Sequence, residues 1–338
     1  MRPDTAIYEA EFLTGLAPFV LDELAQFSAT VVSKRRNTCR FELGAAAGDL
    51  DRMRTVVAVY RLLHFNIPRP RSLLGDQHLR RLLDSVMEVA SRGSFSSFRF
   101  GAAGSHTRVF QRLGETLQGL TRLRYLPGEG DLLIRVRRGS SGQGWEVLLR
   151  LTPRPLSART WRVCNLKGGL NATVAAAVNA LLSVAPGDCY LNAMVGSGTL
   201  LVERGLAGPA ERLVGCDRSD RSLSCACKNL AAAGLADFEL LRADATTLPV
   251  ADASFDAVSA DLPWGDAVGR FSTLSNLYPA FLAEMWRVTA PHGRLAIITH
   301  DLRRFDAQLA EQGWWCLKRE FQVYQGGHHP KIYLLERV

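Results

Sequence analysis

The chain lacks any apolar run approaching the roughly 20 residues that a membrane-spanning helix needs. It also lacks a basic head followed by a greasy stretch. Asp4, Glu9 and Glu11 stand near the start instead, so no signal peptide is expected. Cysteine is sparse and unpatterned: there are seven, none spaced CxxC, which argues against a zinc ribbon and any other metal site. Cys225 and Cys227 fall in SLSCACKNL, which reads as helix, so neither zinc nor a disulfide is expected of that pair. Free thiols in a reducing, cytoplasmic setting are the expectation. Lysine is nearly missing from the first half, where only Lys34 and Lys167 occur. Neither an internal repeat nor a low-complexity tract is evident.

What is present is an ordinary globular composition, 47% hydrophobic and 22% charged, over 338 residues, enough for two or three domains. Charge is distributed unevenly. Residues 1–170 hold 26 Lys+Arg against 15 Asp+Glu, a balance of +11, and the rest hold 15 against 18, a balance of −3. A basic half beside a mildly acidic one suggests a polyanion-binding module joined to a catalytic one. A GC-rich genome would account for arginine in place of lysine, but not for the asymmetry.

Along the first half, AIYEAEF reads as a strand, the following residues as an amphipathic helix, and VVSKRRNTCRFEL as a strand pair turning near Asn37. Residues 49–63 read as a helix with Asp49 as its cap. RPRS at 69–72 is a candidate joint, followed by helices near 76–91 and 109–120 with strand SFRFGA between them. LLIRVRR and WEVLLRL form a hairpin over GSSGQG. This half is therefore α+β with mostly antiparallel pairing. From about residue 170, helices alternate with the apolar strands CYLNAM, RLVGCD, FELLRAD, FDAVSADLPW and RLAIITH. That pattern predicts a parallel, doubly wound α/β sheet. The tail supplies two alternating strands joined at Gly326-Gly327, an antiparallel hairpin at the sheet edge.

Four elements carry chemistry. Asn192-Ala-Met194-Val-Gly196-Ser197-Gly198-Thr199 follows a buried-type strand and opens a helix, where glycine lets the backbone turn tightly beside a ligand. A tight strand-to-helix turn would look the same. Asp217 ends the next strand, 21 residues beyond Gly196, where a carboxylate can accept both ribose hydroxyls of a nucleoside. Capping the helix that begins near Ser219 is its alternative role. Asp244-Ala245 ends the third strand, positioned for an adenine edge, and Arg218 adjoins Asp217. Lastly, Asp261-Leu262-Pro263-Trp264 ends the fourth strand and resembles the (D/N)PPY-type motif of amino-methyltransferases. An exocyclic amine on a base is a poor nucleophile because its lone pair is delocalised into the ring. Asp261 and a backbone carbonyl near Leu262 can accept its two N–H bonds and aim the lone pair at an activated methyl. Pro263 stiffens the turn, and Trp264 offers a flat face to a flipped base. Residues 258–270 contain no cysteine, which argues against a covalent route to a ring carbon.

On these residues the sequence resembles the THUMP-domain class I RNA methyltransferases that act on guanine N2 in tRNA. NAMVGSGTL, VGCDRSD, RADATTLP, DLPWGDAVGR, NLYPAFLAEMWRV and GGHHPKIYLL carry the match in the second half. SSFRFGAAGSHTR, LLIRVRR, WEVLLRLTPRPLSART and WRVCNLKGGLNATVAAAV carry it in the first. The resemblance implies a ferredoxin-like domain over 1–68, a THUMP domain with linker over 69–165, and over 166–338 a Rossmann-like class I methyltransferase domain with an antiparallel edge hairpin. It implies S-adenosylmethionine as cofactor, held by Thr173, Asn192, Met194, Gly196, Ser197, Gly198, Thr199, Asp217, Arg218, Asp244, Ala245 and Asp261. It implies a tRNA substrate modified in the acceptor stem at position 6 or 7, a monomer, and in some relatives a small activator subunit. Two positions depart from the family pattern: Asn192-Ala193 stands where Asp-Pro is usual, and Ala172-Thr173 where Pro-Thr is usual. The basic residues expected to meet RNA are Lys34, Arg35, Arg36, Arg135, Arg137, Arg138, Arg159 and Arg162. Ribosomal RNA guanine N2 and adenine N6 remain alternative targets. A catalytically inactive RNA-binding protein with a relic pocket is the alternative from another class.

Overall fold

The computed structural model describes residues 6–44, 47–140, 142–263, 274–324 and 326–338, with backbone alone at 47–49 and 274–276. The chain divides into two compact units. One comprises Met1–Phe12 with Val20–Ser157, and the other comprises Leu13–Phe19 with Ala158–Val338.

The first unit contains β1 (Ala6–Glu11), β2 (Thr30–Lys34), β3 (Thr38–Leu43), β4 (Ala58–Phe65), α2 (Asp76–Arg92), β5 (Ser97–Gly101), α3 (Arg108–Leu120), β6 (Arg124–Tyr125), β7 (Leu132–Arg138) and β8 (Trp145–Arg150), and, from Val20 onward, helix α1 (Ala17–Gln26), whose first residues belong to the second unit. Its strands make one sheet in the order β2-β3-β1-β4-β8-β7-β5-β6. Pairing is antiparallel except where β5 meets β7 and β6. The alternation in LLIRVRR appears as a regular buried and half-buried pattern along β7, the signature of a strand with one covered face. Across the sheet, Glu9, Glu146, Arg40 and Arg137 form a linked ion cluster, with both glutamates 2% exposed.

The helix expected over 49–63 with Asp49 as its cap is not formed. A 3-10 turn covers Ala47–Arg52, and the apolar run after it is β4. That strand lies between β1 and β8, with Ala58, Val59, Tyr60, Leu62 and Leu63 all buried. Covered on both faces, it has no alternation to read, and its β-branched and aromatic residues pack on a pleated surface.

The second unit contains α4 (Ala172–Leu181), β9 (Cys189–Asn192), α5 (Thr199–Ala207), β10 (Arg212–Asp217), α6 (Asp220–Ala232), β11 (Glu239–Arg242), β12 (Phe255–Asp261), α7 (Leu274–Val288), β13 (Thr289–Thr299), α8 (Leu302–Ala310), β14 (Trp315–Gln322) and β15 (Lys331–Arg337). The sheet order is β11-β10-β9-β12-β13-β15-β14. The first five strands are parallel, and β15 alone runs against its neighbours β13 and β14. The tail hairpin is thus present, with its second strand inserted and its first strand at the edge. Helices cover both faces of the sheet. One core holds α4 and α5 residues such as Val174, Val178 and Leu201, and the other holds Phe281, Met285 and Phe305. Strand order reverses at β9 and β12, and crevices for ligands open there at the carboxyl ends of the strands.

Free thiols are found at Cys39, Cys189, Cys216, Cys227 and Cys316, but Cys164 and Cys225 are bonded to each other, 61 residues apart in sequence and 5.4 Å between Cα atoms. That pairing corrects the expectation for these two residues. Local spacing could not show it, because the partners meet only when the chain before α4 lies along α6.

Candidate active site

The site assembles at the ends of β9, β10, β11 and β12. After Asn192 the chain turns on two glycines in left-handed conformations, Gly196 at φ 52° and Gly198 at φ 84°, and α5 begins. Gly198 is also a point of close approach. A Cβ there would lie 3.1 Å from Ala226 Cα and Cβ on α6. The turn is held by Asp217, whose Oδ2 accepts the Gly196 N–H at 3.0 Å while its Oδ1 accepts the Ser219 N–H at 2.9 Å. Capping of α6 falls to Ser219, whose hydroxyl accepts the Ser222 N–H. Asp217 is therefore released from the cap and faces the glycine turn.

Asp244 accepts the Thr246 N–H at 2.9 Å and its hydroxyl at 2.7 Å, and Arg218 lies 3.6 Å from its other oxygen. Those hydrogen bonds, helped by the Arg218 guanidinium, hold its carboxyl below the usual range.

Asp261 is unlike these two. Its Oδ1 is buried and has no hydrogen-bond partner among the described residues. Burial alone pushes its carboxyl up to about 7. The strand reaches this position in fixed register, Asp261 opposite Ile298, and the next N–H, of Leu262, donates to the Ile298 carbonyl at 2.9 Å. The Leu262 side chain is packed in the core, so what it can offer a ligand is its main chain. Trp264 lies outside the described residues.

One cavity of about 830 Å³ gathers these groups. It is lined by Asn192, Met194, Gly196, Ser197 and Thr199 from the turn, by Asp217, Arg218, Asp244 and Ala245, and by Asp261, Leu262 and Pro263. Leu277 and Ala280 of α7 lie near the Asp261 end of this lining in sequence, and Leu166–Leu170 add a further wall. The volume lies in the range of small-molecule sites. Two cofactor candidates are not on its surface. Gly198 acts through the backbone turn. Thr173 is fully buried, with both its N–H and its hydroxyl given to Asn171 Oδ1, which caps α4.

The wall Leu166–Leu170 is what sequence reasoning missed as site residues. Buried Asn229 of α6 holds the segment leading to it. Its Oδ1 accepts the Val163 and Cys164 N–H groups at 3.0 and 2.9 Å, while its Nδ2 donates to the carbonyls of Cys164 and Ser197 at 2.9 and 2.8 Å. Arg162 adds donations to the Leu170 carbonyl at 2.8 Å and to Thr199 Oγ1 at 3.0 Å. The signal available was Lys167-Gly168-Gly169 immediately before a helix cap.

The basic candidates divide by environment. Lys34, Arg35 and Arg36 are exposed at the β2–β3 turn. Arg138 is exposed and stacks over the Trp145 ring at 4.7 Å. Arg135 is tied to Glu11 at 3.1 Å and lies over Tyr60. Arg137 belongs to the cluster with Glu9 and Glu146. Arg159 is paired with fully buried Glu203 at 2.9 Å, and Arg162 braces the cavity wall. These last three serve the interior of their own units.

A sheet with a single reversed strand, a glycine turn after its first strand, a carboxylate at the end of its second and Asp-Leu-Pro at its fourth defines a class I methyltransferase. The chain belongs to the UPF0020 family, described as an RMKL-like methyltransferase domain, which matches residues 159–331. It is 32% identical over 206 residues to a tRNA (guanine(6)-N2)-methyltransferase of Thermus thermophilus, covering 61% of each chain. It is 36% identical over 155 residues to the mouse U6 snRNA (guanine-N(2))-methyltransferase THUMPD2, covering 46% of this chain and 28% of that one. The chain thus spans about three fifths or less of the length of these curated relatives. Among solved structures, TrmN from Thermus thermophilus superimposes with a TM-score of 0.75 at 25% identity, covering 98% of this chain and 100% of that one.

Proposed function

We propose that this protein transfers a methyl group from S-adenosylmethionine to the exocyclic N2 of a guanosine in tRNA, in the acceptor stem. The observation that carries the reading is Asp261 Oδ1, buried and without a hydrogen-bond partner among the described residues, on a cavity that Asp217 and Asp244 also line. An acceptor without a donor in such a place awaits a ligand N–H. The relatives agree on guanine N2 and differ in their RNA, which favours the amine over any particular RNA as the shared feature.

The residues fit the cofactor. Asp217 faces the position for ribose hydroxyls, and Asp244-Ala245 the position for adenine. When bound, S-adenosylmethionine supplies an electrophilic methyl group on a sulfonium. Asp261 as carboxylate accepts one N–H of the guanine amine, the main-chain carbonyl near Leu262 accepts the other, and the lone pair is aimed along the line of transfer. Asp261 then relieves the charge growing on nitrogen by taking its proton. Pro263 stiffens this turn, and Trp264 is proposed as the flat face on which the flipped base stacks.

In this reading residues 1–68 and 69–165 are the ferredoxin-like and THUMP portions of an RNA-binding module, with Lys34, Arg35, Arg36 and Arg138 as its accessible cations. The enzyme is a cytoplasmic monomer. Incubating unmodified tRNA with labelled cofactor, digesting it and identifying the nucleoside by mass spectrometry tests the proposal. N2-methylguanosine is expected. N6-methyladenosine, or no incorporation, would overturn it.

A further inference from the structure

The sheet edge that presents Asp261 continues beyond β12. β13, β15 and β14 follow in that order. Ile298 of β13 is the register partner of Asp261, and His300 stands two residues further on, just past the strand end. Thr299 pairs with Lys331, and Lys331 with Gln322. The residues just before β15 and just after β14 are therefore level with His300. They are His328 and His329 on one arm of the hairpin and Tyr324 on the other.

These rings meet in pairs. His300 and His328 lie edge to face with centroids 5.6 Å apart, and Tyr324 and His329 lie 5.0 Å apart. His328, His329 and Tyr324 are exposed, and His300 is half-buried. The backbone that carries them is held. Gln322 Nε2 donates to the His329 carbonyl at 3.0 Å, the Val323 N–H to the Pro330 carbonyl at 3.0 Å, and the Tyr324 N–H to the Thr14 carbonyl at 2.9 Å. Neighbouring strands lie about 4.8 Å apart, so this strip runs from about 5 to about 15 Å to the side of Asp261.

The strip offers rings more than charge. Burial, with His328 beside it, pushes the His300 imidazole down to about 4, so that ring is neutral near pH 7. The cations beside the strip are engaged: Lys331 with Glu320 at 2.7 Å, and Arg304 with Asp301 at 3.2 Å. A base that reaches Asp261 has been swung out of its own strand. Its neighbours in sequence must then cross the rim of the site. Unstacked bases are held on aromatic faces, histidine and tyrosine among them.

From this placement we infer that His300, His328, His329 and Tyr324 form a stacking platform for unpaired bases next to the target nucleotide of the RNA substrate. The inference rests on the reading of Asp261 as the acceptor for a base amine in RNA. Platform and carboxyl belong to one sheet, so the target and its neighbours would be held in a single frame.

Steady-state methylation of unmodified tRNA by the full chain, beside calorimetry with S-adenosylhomocysteine, tests this. His328→Ala, at an exposed position, is expected to raise KM for tRNA about tenfold, with kcat and cofactor affinity within about twofold of wild type. His328→Phe, which restores a ring, is expected to recover most of the loss. His328→Lys, which supplies a cation instead, is expected to recover little. Recovery by lysine that matches or exceeds recovery by phenylalanine would overturn the platform and make the position a phosphate contact. An unaltered KM in His328→Ala would overturn it too, as would parallel losses in KM, kcat and cofactor affinity. A wild-type chain that methylates no RNA would sink the proposed function and the platform together. An active wild type with an unaltered His328→Ala variant would sink the platform alone.

Discussion

At the scale of single residues, the protonation of Asp261 decides what the site can do. Neutral, its carboxyl would donate a hydrogen bond, and only the carboxylate can accept both the amine N–H and its proton. With burial holding the group at about 7, kcat/KM for RNA methylation is expected to climb about tenfold per pH unit below that value and to level off above it. A rate profile measured from pH 5.5 to 8.5 that stayed flat would contradict the assignment. The same burial has a stability consequence of opposite sign. The fold favours the protonated acid, whose unfolded pKa is about 3.9, so stability falls as pH rises from about 4 to about 7 and stays low above. Asp261→Asn carries no charge. It is expected to cut turnover by about 10²–10³-fold while raising the thermal midpoint at pH 8, read by calorimetric melting beside a methylation assay. Asp217, Asp244 and Asp261 were legible in sequence because each sits at a strand end in a fixed chain order. The burial of Thr173 was not, because its hydroxyl turns back to Asn171 within its own helix cap. Nor was Cys164 with Cys225, a contact made only by tertiary packing.

At the scale of elements, the cavity depends on how the chain ahead of α4 is pinned to α6. Asn229 makes four hydrogen bonds to that segment and to the glycine turn while fully buried. Truncating it strands main-chain groups away from water. Asn229→Ala is expected to cost roughly 2–4 kcal/mol in urea unfolding and to weaken S-adenosylhomocysteine in calorimetry. Unchanged affinity in a folded variant would separate the wall from the site. The parallel strands and their helices could be read from alternation of strand and helix patterns. β4 could not, since a strand covered on both faces and a buried helix present the same unbroken apolar run. The insertion of β15 between β13 and β14 was equally hidden, because a hairpin's sequence does not say which of its strands joins the sheet.

At the scale of the whole molecule, the surplus of positive charge in the first half overstates what is available to a polyanion. Arg137 and Arg40 answer Glu9 and Glu146, and Arg135 answers Glu11, so composition counted charges that structure spends internally. Replacing Lys34, Arg35 and Arg36 together with alanine is expected to reduce the slope of log affinity for RNA against log salt by about 2–3, with little effect on melting. Arg137→Ala is expected to do the reverse, leaving the slope in place and costing roughly 1–3 kcal/mol of stability. Filter binding across a salt series, beside thermal melts, separates the two, and a matching slope change from both variants would refute the division.

The second unit's core contains Leu16 and Phe19, and its edge strand β14 ends where Gly15, at φ 100°, passes so close that a Cβ would meet the Gln322 carbonyl. Phe19 and Phe321 rings lie 5.0 Å apart. Synthesis delivers Leu16 and Phe19 well before Phe321 and Gln322. Leu16 and Phe19 must wait, unburied, through the making of nearly everything between. Residues 13–19 thus finish the interior of the methyltransferase unit, and a fragment begun at Ala158 would be born with a gap there that a grafted copy of those residues would close.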